Sequence, residues 1–130
     1  MRRNLGALAL LILTATCDGR AAQPAYQLRT LSSGRQVKFV GLTRIRFSDS
    51  GPALMLSYET DVAMSDTAAL RGEADDIWHD FHETADSARV SGVVLSAHSP
   101  ARGGLVSRSE GYNFVYERAP DGSWHLDGRS

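Results

Sequence analysis

Asp66–Ser87, DTAALRGEADDIWHDFHETADS, is the stretch that decides the fold. Placed 100° apart, Leu70, Ala74, Ile77, Phe81, Ala85 and the following Ala88 fall within roughly 80° of arc, with Trp78 on the margin. That spacing predicts one amphipathic helix over about 66–87. Ser65 or Asp66 is its expected N-cap, and acids early in the helix suit its positive end. Gly72 weakens the first turns by about 1 kcal/mol relative to alanine. A helix with one apolar stripe needs an apolar surface to lie on, so the flanking sequence must supply a sheet.

Upstream, the apolar period is two. Tyr26–Leu31 is a short strand followed by the turn Ser32-Ser33-Gly34. Gln36–Phe47 alternates, with Val37, Phe39, Thr43, Ile45 and Phe47 expected on one side and Lys38, Arg44 and Arg46 on the other. Gly41 interrupts the first set and marks a candidate bulge. Asp49-Ser50-Gly51-Pro52 is a turn into a third strand, Ala53–Thr60, and the three form an expected antiparallel meander. Downstream, Arg89–Ala97 holds a continuous apolar run, as a central strand covered by a helix would. Ser99–Gly111 is a long polar loop, Tyr112–Arg118 alternates again, and Ala119–Gly122 turns into a short last strand, Ser123–Leu126. The expected fold is α+β: a single antiparallel-rich sheet with one long helix packed on it, in the order β-β-β-α-β-β-β.

Composition agrees with one domain at 26–130. The chain has 130 residues, 42% of them hydrophobic, which is enough for a single core and too short for several domains. Fourteen basic residues face fifteen acidic ones, a balance that argues against nucleic acid as a partner.

The amino terminus carries an address. Arg2 and Arg3 precede Leu5–Thr16, twelve residues without a charge. About 20 apolar residues are needed to cross a bilayer, so the pattern reads as a signal peptide, over 1–17 or to 21, followed by a polar tether at 18–25. Leu13-Thr14-Ala15-Thr16-Cys17 resembles a bacterial lipoprotein signal, departing from the usual pattern at Thr14 and Thr16. The resemblance covers residues 1–17 and implies lipidation of Cys17, the only cysteine. Ordinary cleavage after Ala21 is the competing reading. Either cut leaves a chain of net charge −3, expected in the periplasm and touching a membrane only through the lipid anchor.

Three groups of residues are candidates for chemistry. Asp75, His79, His82 and Asp86 share one helix face within about 60°, a spacing that suits a divalent metal or, equally, a solvated surface. His98, Arg102 and Arg108 lie in or beside the Ser99–Gly111 loop, the expected binding segment together with the charged helix face. Tyr112, Phe114 and Tyr116 form an aromatic stripe that is either a ligand platform or half of the core. Charge is also segregated: Asp66–Asp86 holds seven acids and one base, whereas Arg29–Arg46 holds five bases and no acid, opposed patches that could orient a partner.

No nucleophile elbow, phosphate-binding glycine loop or His-Glu-x-x-His stretch occurs. The expectation is a non-catalytic binding or accessory domain of the cell envelope with no cofactor, its partner an envelope protein or a small ligand. Metal binding is the first alternative. A small hydrolase is the second, and would need a pocket lined by groups of perturbed pKa.

Overall fold

The computed structural model describes residues 26–49, 51–100 and 110–127. Cys17, Arg102 and Arg108 lie outside the described residues. In chain order the elements are β1 (Gln27–Thr30), β2 (Gln36–Phe47), β3 (Gly51–Glu59), α1 (Thr67–Ser87), β4 (Gly92–His98), β5 (Gly111–Arg118) and β6 (Trp124–Leu126). The six strands form one sheet whose spatial order follows the chain, β1-β2-β3-β4-β5-β6.

The sheet is mixed. β1, β2 and β3 form the expected antiparallel meander, and β4, β5 and β6 pair antiparallel, but β3 and β4 run parallel. The helix imposes this. Twenty-one residues at 1.5 Å each return the chain over about 32 Å, so the strand after the helix starts beside the start of β3.

Asp66 is the N-cap, accepting the Ala69 backbone N–H at 3.1 Å. No acid stands in the first turn itself, so the cap alone supplies the expected negative charge. At the other end Arg89 takes a left-handed conformation, φ 54°, where glycine is usual. The exit from the helix therefore uses Ala88–Ser91, and β4 starts at Gly92 rather than at Arg89.

The helix stripe meets the sheet as expected. Leu70, Ala74, Ile77 and Ala85 are buried against Leu54, Leu56, Tyr58, Val93, Leu95, Phe114 and Tyr116, with Phe81 and Trp78 partly buried beside them. The aromatic stripe of β5 is thus core. β4 is buried along almost its whole length, as its apolar run implies.

One expected face assignment is wrong. The register of β2 against β3 shifts between Phe39 and Gly41, leaving Val40 as the extra residue. Phe39 lies opposite Tyr58, on the helix side, but beyond the bulge the residues opposite Leu56 and Leu54 are Leu42 and Arg44. Thr43, Ile45 and Phe47 therefore lie on the sheet face away from the helix. A one-residue bulge inverts every side chain after it, which strict alternation cannot reveal.

Candidate functional site

The carboxyl ends of the parallel strands β3 and β4 meet the start of the helix, the arrangement in which an α/β unit leaves a crevice. Here two adjoining hollows, of about 590 and 430 Å³, share Thr60, Asp61 and Val62. Ala63–Ser65, Ser99, Pro100 and Glu110 complete the first, and Arg35, Lys38, Glu59 and Glu73 line the second. Backbone bonds hold the rim. Thr60 N–H donates to the His98 carbonyl at 2.8 Å, and Ser99 N–H to the Glu110 carbonyl at 2.8 Å. The Ser99 hydroxyl in turn accepts Glu110 N–H at 2.8 Å, which clamps the base of the Ser99–Gly111 loop beside the cleft.

Glu73 is the group that stands out. It is 7% exposed, and its Oε1 is buried with no hydrogen-bond partner among the described residues. Its Oε2 lies 3.9 Å from the Arg35 guanidinium, which is committed more closely to Asp76 at 2.8 Å. Burial pushes the Glu73 carboxyl above its ordinary range; a Thr60 hydrogen bond and Arg35 pull it down, without reversing the shift. The Tyr58 hydroxyl is also buried and unpartnered, and burial together with the charge of Glu73 pushes that phenol well up. Unpaired buried polar groups are costly, so two near one cleft are a signal of use rather than of packing.

The other half of the helix is arranged differently. Trp78 stacks on Tyr116 with centroids 4.2 Å apart and planes 8° from parallel, and meets Trp124 edge-on at 5.2 Å. The Trp124 indole N–H donates to Asp86 at 2.9 Å, and Arg118 lies 3.7 Å from the same carboxylate. One polar atom there stays unpartnered, the Tyr116 hydroxyl, whose pKa burial raises to about 12.

Asp75, His79, His82 and Asp86 do not converge. His82 Nδ1–H donates to the His79 carbonyl at 2.8 Å, the two imidazole centroids are 6.3 Å apart, and Asp86 is turned to Trp124. Among the described residues, no group of three or more His, Cys, Asp or Glu side chains is placed to hold a metal ion. His98 does not line the cleft. It pairs across β3 with Glu59 on the face away from the helix, where its Nε2 lies 3.0 Å from Ser96 Oγ. Ser96 donates to Asn113 Oδ1 at 2.7 Å, so the imidazole must donate to the serine, the opposite of the polarity that activates a nucleophile.

Part of the segregated charge is spent within the fold. Arg35 bridges to Asp76, Asp80 accepts both the backbone N–H and the hydroxyl of Ser32, and Lys38 pairs with Glu59 at 3.6 Å. The two Ser32 bonds hold the Asp80 carboxyl below its usual range. These contacts fasten the β1–β2 turn to the helix.

Periodicity overlooked Glu73, Tyr58, Arg35 and Thr60. A signal for Glu73 was present: it lies one turn from both Leu70 and Ile77, flanking the apolar stripe about 80° from its centre. The chain matches no family model, no curated protein and no solved structure.

Proposed function

We propose that this is a small exported cell-envelope domain, anchored through a lipidated Cys17, that works by binding and not by catalysis. Its working site is the cleft at the carboxyl ends of β3 and β4. There it receives a polar group of a small ligand or of an envelope protein.

The observation that carries the reading is the buried Glu73 Oε1, unpartnered among the described residues, beside that cleft. A ligand N–H or O–H can complete the hydrogen bonding of this carboxylate, while Arg35 and Lys38 face any negative charge on the same ligand. Glu73 also meets the hydrolase condition of a perturbed acid in a pocket. A hydrolase would further need a nucleophile bonded to a base beside it; among the described residues the two Ser–His pairs, Ser96–His98 and Ser123–His125, lie outside the cleft, and in each the serine donates to another side chain, Asn113 or Asp121. Export and lipidation rest on residues 1–17 alone.

A photo-crosslinking residue placed at Asp61 in the cleft, or at Glu83 on the outer helix, tests the binding reading in cells producing the full chain. A discrete adduct from Asp61 that weakens with Glu73→Gln, and none from Glu83, supports it. Equal adducts from both positions, or none from Asp61, overturn it. The intact mass of the mature protein tests the anchor, with Cys17→Ala as control.

A further inference from the structure

We propose a second contact surface: the outer edge of β2 over Gly41–Phe47 receives an extended acidic segment of another protein as an added strand. β2 has twelve residues, but β1 pairs only with Gln36–Phe39, so from Val40 onward no described residue pairs with its outer edge. Alternate backbone N–H and C=O groups there have no strand partner among the described residues and can continue the sheet.

That edge has a matching floor. On its helix side lies a groove of about 510 Å³ whose apolar lining on that face is Phe39, Leu42, Leu56 and Phe81. Leu42, 51% exposed, stands open at this groove. Just beyond Leu42 on the same face stand Arg44 and Arg46, opposite Leu54 and Pro52. Both are exposed and neither has an ion pair among the described residues.

This order selects the occupant. A strand added to the edge presents alternate side chains to one face, so it must place an apolar residue over the groove and acids two and four positions away, against the arginines. The chain's own 18–25 segment, DGRAAQPA, has no apolar side chain larger than alanine or proline to fill the groove and would bring Arg20 towards Arg44 and Arg46. A second copy pairing β2 with β2 would set arginines against arginines.

The test uses a fluorescein-labelled heptapeptide with Leu, Glu and Glu at alternate positions and Val or Thr between them, titrated into the full-length protein. Anisotropy should report binding that weakens at least tenfold when the two glutamates become lysines, and at least tenfold with Arg44→Glu plus Arg46→Glu. Circular dichroism of that variant should match the parent. Amide exchange should slow at Gly41–Phe47 when the Glu peptide is added. No binding, equal binding of the Glu and Lys peptides, or unchanged exchange along the edge would overturn the proposal. So would an edge already protected without peptide, whether in a dimer or by residues 18–25.

Discussion

The two halves of the helix face the same sheet and do different work. Its carboxyl half is sealed but for the unpartnered Tyr116 hydroxyl: Trp78 lies between Tyr116 and Trp124, and Asp86 is held by an indole N–H and a guanidinium. Its amino half buries Glu73 and Tyr58 with unpaired oxygens beside an open cleft. Aromatic packing and paired charges give stability, whereas unpaired buried polarity lowers it and is kept where a ligand completes it. The difference places the stable end and the working end in opposite halves of one helix.

The largest effect should come from breaking the sealed end. Trp78→Ala removes a stacked and an edge-on aromatic contact together, and should cost about 3 kcal/mol in denaturant unfolding. Crosslinking from Asp61 in the cleft should persist under conditions where this variant is still folded. Asp66→Ala acts at the working end and removes the helix cap, costing about 1 kcal/mol. Its loss should appear as faster amide exchange in the first helical turn, with the Trp78–Trp124 fluorescence environment unchanged. Arg89→Gly is the smallest change and has the opposite sign. Glycine adopts the left-handed conformation at φ 54° without strain, so thermal unfolding should shift up by roughly 0.5–1 kcal/mol.

The sealed end was far more legible in the sequence than the working end. Leu70, Ala74, Ile77, Phe81 and Ala85 recur at helical spacing because they share one apolar environment, and Tyr112, Phe114 and Tyr116 recur at period two for the same reason. The parallel β3–β4 pair follows once a long helix separates adjacent strands. The bulge at Val40 was flagged only by Gly41, and its consequence, Ile45 and Phe47 on the far face, depends on a register no single strand records. The cleft gathers Arg35, Thr60 and Glu73 from a turn, a loop and a helix, with the buried Tyr58 near enough to feel the charge of Glu73. Such a site has no sequence period. The conspicuous polar residues, Asp75, His79, His82 and Asp86, owe their regular spacing to a helix face turned away from the core.

The central claim is that Glu73 is held for binding at a cost in stability, and the pH dependence of that cost tests it most directly. Its carboxyl titrates higher in the folded chain than in the unfolded one, because burial disfavours the anion. Between the ordinary carboxyl range and the raised value the folded state therefore binds more protons, and this group's contribution to stability is lost as pH rises through that window. Denaturant unfolding of the wild type and Glu73→Gln, compared from pH 4 to pH 7.5, should show the variant gaining on the wild type as pH rises and at least equal to it at neutral pH. A variant destabilised equally at every pH, or most at neutral pH, would make Glu73 a structural partner of Arg35 and contradict the account.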